Sequence, residues 1–295
     1  MRKIADALRR KKILISDGAW GTMMIDKGLT ASESPESWSL YRREDVFSIA
    51  EAYVEAGADM IATNSFGANR FKLEFYGLAD RVAEINTQAA AISRAAAGPG
   101  VFVLGSVGPT GKFPMMDEIG ETELYDAFRE QVKALENGGA DAIIIETMTD
   151  LEEACVAVKA AKENTSCEVI CMMSFDKTIE GNYRTIMGVS PTEMTLSLVR
   201  AGADIIGANC GTTINGLVDI TMEIRSINAD IPVIIQANAG TAEQQEGRTV
   251  YPDSPSYMAE AAQSLASAGA NIIGGCCGTT PLHIRRLTEI LKNWQ

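Results

Sequence analysis

Short apolar runs alternate with amphipathic stretches along the whole 295-residue chain. Eight of the runs are brief and mostly end on a polar residue or a glycine: Ile13–Asp17, Met60–Asn64, Val101–Ser106, Ala142–Glu146, Glu168–Ser174, Ile205–Asn209, Val233–Ala237 and Asn271–Gly275. Near-continuous apolar runs of this length suit strands buried on both faces, as in parallel sheets. Helical patterns such as Val46–Glu55, Leu124–Asn137 and Pro255–Ser267 separate them. Four joints share one spelling: Ala56-Gly57-Ala58-Asp59, Gly138-Gly139-Ala140-Asp141, Ala201-Gly202-Ala203-Asp204 and Ala268-Gly269-Ala270-Asn271. Each follows a helical pattern and precedes an apolar run, and its glycine suits the left-handed turn that ends a helix. Eight strand–helix units in under 300 residues predict a (β/α)8 TIM barrel, one α/β domain over residues 1–295. The competing architecture is an open doubly wound sheet. No G-x-G-x-x-G follows the first run, and the even spacing favours closure.

In a barrel of this kind, chemistry belongs at the C-terminal ends of the strands. Long loops are expected there at Thr30–Trp38, Pro109–Ile119, Asp176–Ser190 and Thr241–Ser254. The strand ends themselves carry Asp17, Thr63-Asn64, Ser106, Glu146, Asn209-Cys210, Asn238 and Cys276-Cys277. Any one of these could instead cap the following helix or turn. As a set they read as a site, because barrel interiors are otherwise filled by branched apolar side chains.

The cysteines sharpen that picture. Cys210 leaves the run Asp204–Gly207 within two residues of Ala208, and Cys276-Cys277 follow Asn271–Gly274, so neighbouring strands would bring three thiols to one edge. Three thiolates are one short of a closed tetrahedral zinc site and leave a position open for substrate. Three are too few to complete the ligation of an iron–sulfur cluster. The alternative is two buried thiols or a strained vicinal disulfide at Cys276-Cys277. Flanking glycines would let the chain turn so that both side chains face one metal. The pattern points to an enzyme that alkylates a thiol. Cys155, Cys167 and Cys171 read as small buried hydrophobes. Six cysteines used in this way do not form a secreted disulfide scaffold, which suggests a reducing, cytoplasmic setting.

Charge and composition narrow the partners. The chain carries 26 basic and 39 acidic residues, a net charge of −13. That argues against nucleic acid and against anionic membrane surfaces. No apolar run reaches the length of a bilayer span, and the basic N-terminus, lacking an apolar core, reads as a short helix before the first strand. His283, the single histidine, reads as a solvent-facing residue at the start of the last helix, so a Ser-His-Asp hydrolase would rest on that residue alone. No phosphate-binding loop is present. Met23-Met24, Met115-Met116, Met148 and Met172-Met173 read as core or loop filler, with a thioether-rich surface for a large cofactor as the alternative.

These residues resemble the homocysteine S-methyltransferase family, and within it the homocysteine-binding module of cobalamin-dependent methionine synthase. The resemblance runs over nearly the whole chain: Asp17 to Thr22, Thr63 to Phe66, Gly105 to Gly111, Glu146-Thr147, Asn209 to Gly211, Asn238 to Gly240 and Gly274 to Thr279. The loop Val250-Tyr251-Pro252-Asp253 is similar to the methionine synthase branch rather than the betaine or S-methylmethionine branches. The resemblance implies that Cys210, Cys276 and Cys277 hold zinc, with homocysteine as the fourth ligand. It also implies that Asn238 is a displaceable ligand in the substrate-free state. Asp17 and Glu146, with Ser106, would receive the substrate's ammonium end, and amides around Gly18 and Ala19 its carboxylate. The methyl donor would be methylcobalamin or another methyl-corrinoid, free or on a separate corrinoid protein. Full-length methionine synthases carry folate, cobalamin and reactivation modules, and this chain ends at Gln295. The downstream modules are then either missing or replaced by a partner. S-methylmethionine, betaine or another onium compound is the alternative donor, and a non-catalytic barrel that binds a thiol amino acid is the alternative class.

Overall fold

The apolar runs become strands because their side chains are buried on both faces, towards the barrel axis and towards the surrounding helices. In the computed structural model, which describes residues 3–112, 119–245, 248–292 and 294, the eight strands are β1 (Leu14–Ile15), β2 (Met60–Ala62), β3 (Phe102–Val107), β4 (Ala142–Met148), β5 (Glu168–Met173), β6 (Ile205–Asn209), β7 (Val233–Ala237) and β8 (Ile272–Gly275). They pair in parallel in the order β1-β8-β7-β6-β5-β4-β3-β2. A parallel bridge between Ser16 and Met60 joins β1 to β2, which closes the ring as a TIM barrel.

Alternation along the strands divides the core into two layers. Leu14, Met60, Leu104, Ile144, Ile170, Met172, Ile234 and Ile272 form an inner cluster that fills the barrel. Their neighbours, such as Ile15, Ile61, Val103, Ile143 and Ile145, belong to the larger cluster shared with the helices. The expected N-terminal helix is Ile4–Leu8. It contributes Ile4 to the inner cluster, and Glu168 at the start of β5 accepts hydrogen bonds from the Ile4 and Ala5 amides. A carboxylate on the free amides of a helix start satisfies donors that the helix cannot satisfy itself.

The four repeated joints lie at the N-terminal ends of β2, β4, β6 and β8. Their glycines, Gly57, Gly139, Gly202 and Gly269, all have φ between 92° and 105°. The residue two further on reaches back to the strand before it. Asp59 accepts from the Ile15 amide (2.8 Å), Asp141 from Val103 (2.9 Å), Asp204 from Val169 (2.8 Å) and Asn271 from Val233 (2.9 Å). Each of these side chains is also met by a basic residue that precedes an odd-numbered strand: Lys11, Arg94, Lys162 and Arg225 respectively. The barrel floor is thus one clamp used four times.

The top is less regular. β1 and β2 are shorter than the apolar runs suggested, since Asp17, Thr63 and Asn64 have already left the sheet. β4 is longer than expected because it continues through a β-bulge between Ile145 and Met148. Asp176–Ser190 and Thr241–Ser254, expected as loops, contain two-stranded ribbons, Asp176–Lys177 with Tyr183–Arg184 and Glu243–Gln245 with Arg248–Val250. Pairing within the loop satisfies backbone groups that an irregular loop would leave to water. Of the expected loop Pro109–Ile119, residues 113–118 lie outside the described residues, and with them Met115 and Met116. Met24, Met148, Met172 and Met173 are fully buried core residues. Among the described residues, no helix is long and apolar enough to cross a membrane.

Candidate active site

A cavity of about 410 Å³ opens at the C-terminal mouth, lined by Asp17, Gly18, Ala19, Ser106, Glu146 and the three cysteines, among others. The strand ends set these residues in place one at a time. Cys210 is the first residue after β6 and takes a left-handed backbone, φ 56°, followed by Gly211 at φ 58°. A Cβ on Gly211 would lie 2.2 Å from the Phe175 carbonyl, so the turn that aims Cys210 needs glycine next to it. Cys276 donates its amide to Ala237 at the end of β7 (2.7 Å), and the Cys277 carbonyl accepts from the Ala239 amide (3.0 Å). The turn closes at Gly278, φ 77°, where the Tyr251 ring occupies the space a side chain would need.

The three sulfurs lie within 4.8 Å of one another. Cys210 and Cys276 are paired as a disulfide and Cys277 is a free thiol, its sulfur 3.9 Å from that of Cys210. A bonded pair and a metal-binding trio are alternative states of the same side chains, because reduction returns both sulfurs as ligands. The donor set fits zinc. Two sulfurs about 2.3 Å from a tetrahedral ion sit about 3.8 Å apart, close to the Cys210–Cys277 spacing. Asn238 Oδ1 is buried without a hydrogen-bond partner, which is costly unless something else takes that lone pair. A metal held by the three sulfurs is the partner this oxygen fits.

Two carboxyls line the same cavity. Asp17 is buried and accepts from the Ala62 amide (2.7 Å), Trp20 Nε1 (2.9 Å) and Ser16 Oγ (3.2 Å). Burial outweighs these bonds and raises its pKa to about 6. Glu146 sits in the bulge of β4 and accepts from Ser106 Oγ at 2.6 Å. Burial, with the nearby charge of Asp17, raises its pKa to about 7. Among the described residues neither forms an ion pair with a basic side chain. A buried and a half-buried carboxyl that resist ionisation favour a cation that would let both ionise.

Of the residues singled out from the strand ends, Asp17, Thr63, Asn64, Ser106, Glu146, Cys210, Cys276 and Cys277 line one cavity, together with Gly18 and Ala19, whereas Asn209 and Asn238 lie outside its lining. One detail differs from expectation. The Ala19 amide donates to Thr279 Oγ1 at 3.0 Å, so of the pair Gly18 and Ala19 it is the Gly18 amide that is left for a substrate carboxylate. Sequence reasoning gave no site role to Trp20, Glu36, Thr147, Gln236 and Tyr251, although Trp20, Thr147 and Tyr251 lie in the motifs that carry the resemblance. The first four line the cavity. Tyr251 hydrogen-bonds to Cys277, and this contact together with burial raises its pKa to about 12. Trp20, three residues past Asp17 in the same loop, also had a local signal.

His283 is not solvent-facing. It is 7% exposed, and its Nδ1 accepts from the Thr280 amide at 3.1 Å in a capping box. Nε2 then carries the proton and donates to the Asp253 carbonyl at 3.1 Å. Burial lowers its pKa. Its place at a helix start was legible in sequence; the loop that folds over it was not. Cys167 and Cys171 are buried, and burial pushes both thiols upward. Cys155 is half-buried on the helix Leu151–Asn164.

The fold and site define a closed (β/α)8 barrel whose mouth gathers three cysteine sulfurs and two ionisation-resistant carboxyls in one cavity. Residues 14–291 match the homocysteine S-methyltransferase family, and the chain belongs to that family. Methionine synthase of Mycobacterium tuberculosis (strain ATCC 25618 / H37Rv) is 31% identical over 299 residues, covering 96% of this chain and 25% of the relative. Methionine synthase of Mycobacterium leprae (strain TN) is 31% identical over 293 residues, with 94% and 24% covered. The chain therefore spans about a quarter of the length of these relatives. Among solved structures, the homocysteine methyltransferase MmuM from Escherichia coli matches in its metallated form with TM-score 0.78 and 21% identity, covering 96% of this chain and 98% of that one. Its oxidized form matches with TM-score 0.79 and 21% identity, covering 98% and 99%. Likeness at this identity speaks for the fold.

Proposed function

We propose that this chain transfers a methyl group to the thiol of homocysteine, giving methionine, with zinc at Cys210, Cys276 and Cys277 and a methylated corrinoid as donor. The observation that carries the reading is that one cavity is lined both by three soft cysteine sulfurs and by two carboxyls that resist ionisation. These two sets of groups match the thiol and the ammonium of one amino acid. Zinc, when bound, would hold the substrate sulfur as thiolate at neutral pH, and three anionic sulfur ligands would leave that thiolate electron-rich.

The chain's own residues do the rest. Asp17 and Glu146 take the ammonium, and Ser106 Oγ holds Glu146 in line. The Gly18 amide faces the substrate carboxylate. Trp20, Met24 and Phe66 wall the cavity and limit water around the reacting sulfur. Asn238 would occupy the metal's fourth position until substrate displaces it. A methyl donor must approach in line with the sulfur, with reacting atoms about 3–3.5 Å apart. A bulky corrinoid therefore needs the mouth open, and it would arrive on a partner protein or a further module and leave again. A cytoplasmic setting follows from the need to keep the three thiols reduced.

The similarity to methionine synthases supports the corrinoid donor. An onium donor such as S-methylmethionine or betaine is the second reading. Reduced, zinc-loaded protein is assayed for methionine from homocysteine with each donor. Free methylcobalamin is expected to work slowly and a methylated corrinoid protein much faster. Rapid turnover with S-methylmethionine or betaine, and none with any methyl-corrinoid, assigns the donor to the onium class. Homocysteine binding without turnover on any donor would leave only a binding barrel.

A further inference from the structure

Asn209 is fully buried, and each of its polar atoms is committed. Its Oδ1 accepts from the Thr147 amide at 2.9 Å. Its Nδ2 donates to Thr147 Oγ1 at 2.8 Å and lies 3.7 Å from both Cys210 Sγ and Cys276 Sγ. An amide nitrogen has two hydrogens. One satisfies the threonine hydroxyl, and the other is shared between the sulfurs. Thr147 is the residue after Glu146 and sits at φ 61° within the β4 bulge; Cys210 sits at φ 56°. A side chain with a branched Cβ seldom adopts that backbone, and such strain persists only where surrounding contacts hold it. Asn209 supplies such contacts, and its side chain touches both the Glu146-Thr147 turn and the cysteine sulfurs.

We propose that Asn209 is a positioning residue that ties the two ends of the substrate site together. Through its carbonyl and one hydrogen it holds the Glu146-Thr147 turn, and through the other hydrogen it stabilises charge on the Cys210 and Cys276 sulfurs. The proposal rests on the reading of this cavity as a zinc and homocysteine site. Hydrogen bonds to thiolate ligands withdraw electron density, so removing them leaves the sulfurs more basic and the metal site less well ordered. Loss of a supporting contact of this kind typically costs about 10–100-fold in metal affinity.

Two substitutions separate the two roles. Asn209→Ser removes both. Thr147→Gly places in the turn a residue that adopts φ 61° without strain, so the turn no longer depends on Asn209. In the reduced chain, Asn209→Ser is expected to lower zinc affinity about 10–100-fold by chelator competition. With cobalt(II) in place of zinc, its thiolate-to-metal charge-transfer band should move to longer wavelength. Its homocysteine KM should rise as the turn loosens. In the Asn209→Ser/Thr147→Gly double variant, KM should return towards wild type while the metal affinity and the cobalt band stay altered. Asn209→Asp keeps the acceptor for the Thr147 amide but loses the donor, and is expected to match or exceed the zinc defect if it folds. Thr147→Gly restoring metal affinity and spectrum in full would overturn the sulfur role, and an unchanged KM in Asn209→Ser would overturn the turn role. If wild-type protein binds no metal at all, the reading of the cavity itself fails, and that result is distinct from either.

Discussion

The floor and the mouth of this barrel are built from the same eight strands by opposite rules. At the floor, one arrangement recurs at β2, β4, β6 and β8: a left-handed glycine, an acid or amide two residues on, a strand amide and a basic partner. At the mouth nothing recurs, and two non-glycine residues, Thr147 and Cys210, take left-handed backbones. Every acid in the floor clamps has a cation. At the mouth, buried Asp17 and half-buried Glu146 have none among the described residues. Stability is assembled by repetition at one end, and binding capacity is held in unmet electrostatic demand at the other.

The sharpest way to test this division is to break the mouth without touching the floor. Cys277→Ala should remove most of the zinc and nearly all methyl transfer, well beyond the roughly 10–100-fold cost of losing a supporting hydrogen bond. The far-ultraviolet circular dichroism and the melting of the metal-free protein should barely move, because Cys277 is half-exposed and outside the barrel strands. Metal content by atomic absorption and methionine formation check the first half. Full activity in a zinc-free Cys277→Ala protein would refute the metal reading.

Next in size is Glu146→Gln. The folded protein holds the Glu146 pKa at about 7, above its unfolded value, so its ionisation works against folding. Sign matters here. A raised carboxyl pKa leaves stability intact below about pH 4 and reduces it as pH climbs towards 7. Removing the charge should therefore stabilise substrate-free protein at pH 8, by about 1–3 kcal/mol once partial solvent access through the cavity is allowed for. The same change should raise the homocysteine KM roughly 10-fold or more, since a lost charged hydrogen bond is worth about 1.5–3 kcal/mol. In wild type, homocysteine affinity should weaken as pH falls through about 7 and again through about 6, where Asp17 takes up its proton. Thermal melts across pH 5–9 alongside steady-state kinetics decide the matter. A mutant that is less stable at pH 8 would show that Glu146 has a cation partner after all.

How much of this contrast could be read in the sequence depended on whether the signal was local. Gly139 and Asp141 are two residues apart and their motif repeats, so the floor joints stood out before any coordinates. The strand-end polar residues were found because a barrel puts every strand end at the same mouth. The bulge at Glu146-Thr147 was missed: an extra residue in β4 has no spelling of its own, and only pairing with β5 reveals it. His283 was placed at a helix start correctly and exposed wrongly, because the Asp253 carbonyl that buries it arrives from 30 residues away. Asn209 read as one more strand-end polar residue. Its bond to Thr147 spans 62 positions, which no local pattern records.

The floor gives the smaller effects, graded by burial. Asp141→Ala removes the partner of Arg94 and strands the Val103 amide in a largely buried place, where the carboxylate is 14% exposed. It should cost about 2–4 kcal/mol by denaturant titration, with metal affinity and activity per folded molecule unchanged. Any specific loss of activity would mean that floor and mouth are coupled.

The gentlest probe is Lys162→Met, at the clamp of β6. Its ion pair with Asp204 spans 2.8 Å, but the two side chains are 36% and 35% exposed. Water and salt screen such a pair, so its net worth is about 0.2–1 kcal/mol. Asp204 keeps its bond to the Val169 amide in this variant, so no buried donor is orphaned. Methionine also retains most of the apolar stem that packs beside Gly202. The expected loss is therefore under about 1 kcal/mol and shrinks further at 1 M salt, where charges are screened within about 3 Å. Equal losses from Lys162→Met and Asp141→Ala would imply that the cation, rather than the carboxylate's grip on the strand amide, carries the clamp. A clear gap between them, narrowing little with salt, assigns the clamp's strength to that side-chain-to-backbone bond.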